Sequence, residues 1–266
     1  MAGGAGGQNL KSGRQTGTAQ RSPVTEERLL TRLFLPPESF SDGMATLEGQ
    51  AFRHVARVLR MGEGDHLLLL DGTGRGWIAK LDRVTRSEAT ATLLRVVAEE
   101  GPPLREVHLA VPLLKGDRTE LVLQKCTELG VSCFHVYPAE RSVVRLRDRA
   151  GARRERFQSV CRSAAEQCGA FRVPEVRIWE STQGFLEQVS TAGRFIAWEE
   201  EDRLSARDVL QDGRPCTLAT GPEGGFSRRE VDLWADHGFR PVSLGRRILR
   251  AETAPIAICA LALCAL

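Results

Sequence analysis

The sequence predicts an α/β protein in two parts: a small β-rich unit, then a mainly parallel sheet covered by helices. Three observations carry that prediction. Residues 32–97 read as short strands, with one helix expected to carry Arg53, His54, Arg57 and Arg60. Gly101-Pro102-Pro103 then punctuates the chain as a domain boundary. Beyond it strands and helices alternate, the pattern that places helices on both faces of a parallel sheet.

Residues 1–30 are rich in Gly, Ser, Thr and Gln and hold no acid before Glu26. This predicts a disordered tail, because so little apolar surface cannot offset the entropy of ordering. The tail resembles an organelle transit peptide only in being basic and acid-poor; it lacks arginine density and apolar periodicity, and no secretory apolar core is present. Residues 31–100 form the first predicted domain. Its strands 65–70 and 77–81 flank Asp71-Gly72-Thr73-Gly74-Arg75-Gly76. That turn is superficially like a dinucleotide fingerprint, but an alternating strand follows it, not a helix, so it reads as a hairpin. With a further strand over 89–97, a small β-barrel is expected.

Residues 104–266 form the second domain. Strands are predicted at 107–113, 132–137, 176–179, 194–198, 215–219 and 242–244. A helix over 117–129 has Asp117 and Glu120 at capping-box spacing and presents Val122, Cys126 and Leu129 as one apolar stripe. A second helix covers 152–168. Near the end come two ligand-type turns. Thr220-Gly221-Pro222-Glu223-Gly224-Gly225-Phe226-Ser227 leaves a strand, and Ser227 with Glu230 suits a helix start. Leu244-Gly245-Arg246-Arg247-Ile248-Leu249-Arg250-Ala251-Glu252-Thr253 leaves the next strand, and Thr253 with Pro255 opens an apolar final helix. Glycine lets a ligand approach the backbone, and open α/β sheets bind ligands at the carboxyl ends of their strands. The two turns therefore predict the walls of one pocket.

Composition narrows the function classes. The chain has 266 residues, 42% hydrophobic, enough for a core. Its 13-residue apolar end is shorter than the roughly 20 residues of a spanning helix, so a buried helix or subunit interface is expected, with no membrane partner. Seven cysteines show no CxxC pair and no histidine at zinc spacing, which fits reduced thiols in a cytoplasmic protein and predicts no metal site. Net charge is +3, but between Arg141 and Arg162 eight arginines face two acids. Charge alone fits equally a phosphate backbone or a solvated helix face.

The two turns together resemble the RsmE family of ribosomal RNA methyltransferases, of the SPOUT (trefoil-knot) superfamily. The likeness continues in Lys115-Gly116-Asp117-Arg118, in 124–131 from Gln124 to Val131, in Arg141-Ser142, 164–167 and 173–175, and N-terminally in Arg32-Leu33-Phe34 and 54–60. It covers roughly residues 31–266. It implies a SPOUT-type α/β trefoil-knot domain behind an N-terminal PUA-like β-barrel. Periodicity cannot derive the knot, and topology rules argue against threading, so that feature rests on the resemblance.

The resemblance further implies S-adenosyl-L-methionine as cofactor, held by Thr220, Gly221, Glu223, Gly224, Leu244, Gly245, Ile248 and Leu249. The implied reaction methylates uridine N3 in small-subunit (16S) rRNA, free or in the assembled subunit, by a homodimer. Arg250 is the candidate for stabilising charge on the base, and Glu252 is open between a proton acceptor, a carboxylate at a helix N-terminus and an arginine partner. Candidate RNA contacts are Arg32, Arg53, His54, Arg57, Arg60 and Arg141. Gln124 and Glu128, one helical turn apart, are open between a site role and a polar surface. One departure is Ala170, where the family commonly has arginine; Arg172 lies nearby. The competing reading is an RNA-binding assembly factor on the same fold without methyl transfer.

Overall fold

The computed structural model describes residues 30–97, 101, 103–143 and 150–264. The predicted tail, apart from residue 30, and six residues of the arginine-rich stretch (144–149) lie outside the described residues.

The first domain is a six-stranded sheet: β1 (Arg32–Phe34), β2 (Phe40–Ser41), β3 (Met44–Leu47), β4 (His66–Leu70), β5 (Gly76–Val84) and β6 (Ala89–Val97), in the order β1-β4-β5-β6-β3-β2. β1 runs parallel to β4, and the other pairs are antiparallel. Alternate residues Leu33, Leu47, Leu67, Leu69, Leu81 and Ala91 share one core with Phe52 and Val55. Strands from both ends of a sheet can share a core only if the sheet curls. The expected barrel thus takes the form of a curled sheet, and the 71–76 turn is the predicted hairpin. A short helix, α1 (Gly49–Arg53), continues as a wider π turn over His54–Val58. Arg60 falls beyond it with φ of 55°, so the expected helical set loses that arginine.

The second domain holds β7 (Val107–Pro112), β8 (Cys133–Tyr137), β9 (Glu175–Ile178), β10 (Gly193–Ala197), β11 (Cys216–Ala219) and β12 (Arg240–Val242). All are parallel, in the order β12-β10-β11-β7-β8-β9. The helices are α2 (Arg118–Leu129), α3 (Ala150–Cys168), α4 (Thr182–Leu186), α5 (Ala206–Val209), α6 (Arg228–Asp236) and α7 (Thr253–Leu263). On one face Val122, Cys126, Phe157, Cys161 and Ile258 pack on Leu109, Val111 and Phe134. On the other, Phe185, Phe226, Trp234 and Phe239 pack on Tyr137 and Ile196. Burial on both sides accounts for the largely apolar inner strands β7, β8 and β11.

One cap differs from expectation. Asp117 holds the N-cap position of α2 but its carboxylate makes no cap bond. Arg156 of α3 stands 2.7 Å from Glu120 and 4.0 Å from Asp117.

The domains meet along an apolar seam. Phe34, Leu68, Leu70 and Val97 pack on Ala165, with Ala170, Phe171 and Val173 partly buried beside them. Phe34 N–H donates to Glu166 Oε1 (3.2 Å), and Val173 N–H to the Gly72 carbonyl (3.2 Å). Ala170 therefore lies in the seam, where a small side chain packs.

The C-terminal segment doubles back. β12 lies at the sheet edge beside β10, yet α7 packs over β7 and β11 in the interior. On the way Ser243 exchanges backbone bonds with Leu204 and Ala206 of the β10–β11 connection (2.8 and 2.9 Å).

Candidate cofactor and catalytic site

The first turn leaves β11, in the middle of the sheet. Behind it Thr220 is fully buried; its N–H donates to the Ala110 carbonyl (3.1 Å) and its own carbonyl accepts from Tyr137 Oη (2.8 Å). Gly225, at φ 67°, closes the turn through a bond to the Pro222 carbonyl (2.9 Å). Ser227 and Glu230 then form the predicted capping box. Glu230 is buried, and its second oxygen accepts the Glu140 N–H at 2.7 Å. Arg141 Nη1 donates to the Gly224 carbonyl (3.1 Å).

The second turn leaves β12 with Gly245 at φ 107° and ends where Thr253 and Ala254 N–H groups bond the Arg250 carbonyl (2.8 and 3.0 Å). Between the turns lies a cavity of about 530 Å³. The volume falls within the range of small-molecule sites. Gly221, Glu223, Gly224, Leu244, Gly245, Ile248 and Leu249 line it, as does Arg250. So the structure brings seven of the eight expected cofactor residues together. Thr220 is the exception: it holds the turn from behind and does not reach the cavity wall.

Glu252 also lies behind the wall. Its carboxylate is 3.8 Å from Arg118 Nη1, and the residue stands at the N-cap position of α7 without a side-chain cap bond. Arg118 itself lines the cavity, with Trp198 and Glu199 from the end of β10. The sequence reading gave these three no role. Arg118 stood in a matching motif, Trp198 ends a predicted strand and Glu199 follows it; strand-end position was the available signal.

The residues present fit a nucleoside bearing an amino acid. Leu244, Ile248 and Leu249 supply apolar wall, and Ile248 is 86% exposed, an apolar side chain without cover. Glu223 Oε2 is buried and makes no hydrogen bond among the described residues.

An RNA methyltransferase domain model matches residues 100–263, and an RNA methyltransferase PUA domain model matches 47–94. A Synechocystis protein named ribosomal RNA small subunit methyltransferase E is 35% identical over 229 residues, covering 84% of this chain and 74% of that relative. The chain belongs to the RsmE family. A Bacillus subtilis protein of the same name is 32% identical, over 79% of this chain and 86% of its own. Among solved structures, the Neisseria gonorrhoeae family member bound to S-adenosyl methionine superposes with TM-score 0.78 at 31% identity, covering 87% of this chain and 95% of that one. A Legionella pneumophila structure in complex with the same cofactor gives 0.81 at 32%, over 89% and 98%.

Within this RsmE frame the expected RNA residues separate into three places. Arg53, Arg57 and Arg60 are exposed on the first domain, with His54 half-buried beside them. Arg32 is also half-buried; its guanidinium crosses Gly169, and its Nε has no hydrogen-bond partner among the described residues. Arg141 belongs to the first turn of the cavity, away from the curled sheet. Gln124 is exposed on α2 and Glu128 pairs with Lys125 (2.8 Å); neither lines the cavity.

The seven cysteines are all unpaired. Strand pairing gathers a group that linear spacing hides: His108, Cys133 and His135, whose ligand atoms lie within 4.8 Å of one another. Trp179 Nε1–H donates to His135 Nδ1 (3.1 Å), so in the neutral ring Nε2 carries the hydrogen and donates to His108 Nδ1 (3.2 Å). His108 Nε2–H then meets Glu106 Oε1 (2.9 Å). Burial, helped by His108 and Arg177, pushes His135 down to about 3, and burial pushes the Cys133 thiol up to about 12. The ring nitrogens are committed to one another, which makes this a hydrogen-bond relay from a half-buried indole to a surface carboxylate.

Proposed function

We propose that the chain methylates uridine N3 in small-subunit (16S) ribosomal RNA, with S-adenosylmethionine as donor. The observation that carries this reading is the cavity between the two turns, at the carboxyl ends of neighbouring parallel strands, in a chain of the RsmE family. The cofactor, when bound, supplies a methyl group already activated on a sulfonium. The protein's own task is then alignment and charge control.

Backbone groups of 221–225 and the apolar side chains Leu244, Ile248 and Leu249 hold the donor. Arg250, exposed on the cavity rim, stabilises negative charge on the uracil oxygens as N3 passes its proton to water. Glu252 acts through Arg118 as a positioning residue. Arg53, His54, Arg57 and Arg60 offer phosphate contacts on the first domain. The doubling back of α7 past the β10–β11 connection supports the trefoil topology. Apolar groups left partly exposed on α7 (Ile256, Leu261 and Leu263) support a homodimer. No helix among the described residues is long and apolar enough to cross a membrane, in keeping with a cytoplasmic enzyme working on rRNA or the small subunit.

The test incubates the protein with labelled cofactor and small ribosomal subunits lacking the modification, then maps the product. Label on uridine N3 is expected. Label on another atom overturns the position, and RNA binding without transfer favours an assembly factor. Sedimentation equilibrium at micromolar concentration should give a dimer.

A further inference from the structure

We infer that Glu199 reads the charge of the methyl donor, favouring the cationic sulfonium over the neutral thioether left after transfer. The inference rests on the proposed cofactor. Three carboxylates stand in or behind the cavity wall, and two of them have cationic company. Glu223 Oε1 accepts the Lys115 N–H (2.9 Å) and lies 3.7 Å from Arg118, which is also 3.8 Å from Glu252. Glu199 lines the same cavity with no ion pair among the described residues.

The side chain is exposed and borders the first turn. A Cβ on Gly225 would collide with Glu199 Oε1, so the carboxylate lies where only a glycine, already at φ 67°, lets it approach the first turn. The preceding residue is held. Trp198 N–H donates to the Val242 carbonyl (3.1 Å), its carbonyl accepts Glu201 N–H (3.2 Å), and the Arg228 guanidinium stands 5.0 Å from its ring centre. Glu199 is thus a negative charge set at the cavity, beside the turn that closes it, without a counter-ion of its own.

Loss of the methyl group turns the sulfonium into a thioether and removes one positive charge, leaving the rest of the ligand unchanged. A carboxylate facing the cavity therefore strengthens donor binding and not product binding, which speeds exchange after each transfer. Because the side chain is solvated, the effect has the size of an exposed ion pair and weakens with salt.

Calorimetric titration of the wild type, Glu199→Gln and Glu199→Asp with S-adenosylmethionine and S-adenosylhomocysteine tests this. Glu199→Gln should weaken donor binding about fivefold and leave product binding unchanged, with Glu199→Asp between. The wild-type preference should also shrink as salt is raised, a readout that needs no variant to fold. Equal loss for both compounds, or a preference insensitive to salt and to Glu199→Gln, overturns the inference and leaves the cofactor assignment standing. Failure of the wild type to bind either compound overturns the assignment and the inference together.

Discussion

The Arg118 guanidinium stands 3.8 Å from the Glu252 carboxylate, joining the start of α2 to the second glycine turn. Its other neighbour, 3.7 Å away, is Glu223 of the first turn. Both glutamates keep a buried Oε2 without a hydrogen bond among the described residues. One cation therefore faces two acids from turns that are separate in sequence.

Arg118→Met should let the two carboxylates repel and the turns part. Donor affinity is expected to fall about threefold, the size of a partly exposed ion-pair network, with Arg118→Lys recovering part of it. Calorimetry reads this directly, and unchanged affinity would show that the turns hold without the pin.

Gly224→Val should weaken cofactor binding for a reason internal to the turn. A Cβ at 224 would lie 3.1 Å from the Arg141 Cβ, so the larger side chain displaces Arg141 and its bond to the Gly224 carbonyl. Overpacking of this kind costs about 1–3 kcal/mol. Binding and thermal unfolding measured together should both deteriorate; wild-type affinity would contradict the placement of this residue.

Glu230→Ala should destabilise the fold by about 2 kcal/mol, because the Ser227 and Glu140 N–H groups lose their acceptor. Ser227→Ala removes one cap bond and should cost about 1 kcal/mol. Urea titrations give both values. The reverse ranking would mean that Glu230 contributes little beyond the cap.

The buried relay predicts a pH dependence. His135 is held neutral down to about pH 3, against an ordinary value of 6.5. The unfolded chain takes up this proton first as pH falls, so its contribution is complete above 6.5 and drains away towards 3. Stability should fall with a slope approaching about 1.4 kcal/mol per pH unit in that window. His135→Phe should flatten the slope between pH 6 and 4 while lowering stability at pH 7. An equal slope in the variant would assign the acid sensitivity elsewhere.

Much of this was legible locally. The Ser227–Glu230 cap, the glycine turns and the Val122–Cys126 stripe depend on spacing within a few residues, and the structure reproduces them. The Asp117 cap did not form, because its backbone (φ −90°, ψ 10°) leaves the extended region an N-cap side chain needs, and Glu120 pairs with Arg156, 36 residues further along, at 2.7 Å. Thr220 reads as part of a ligand turn, yet the sheet buries it. His108, Cys133 and His135 become neighbours only through the β7–β8 register. Ala170 gains its meaning from the seam it packs in.

The sequence by itself determined the main strands of the parallel sheet, its longer helices and the two glycine turns, and through its motifs the family, because period, capping and backbone freedom are properties of neighbouring residues. Only the tertiary structure decided which charges meet: that Arg118 faces Glu223 and Glu252, and that Glu199 has no counter-ion. Electrostatic energy depends on distance through space, and parallel strands bring together groups that the chain holds far apart.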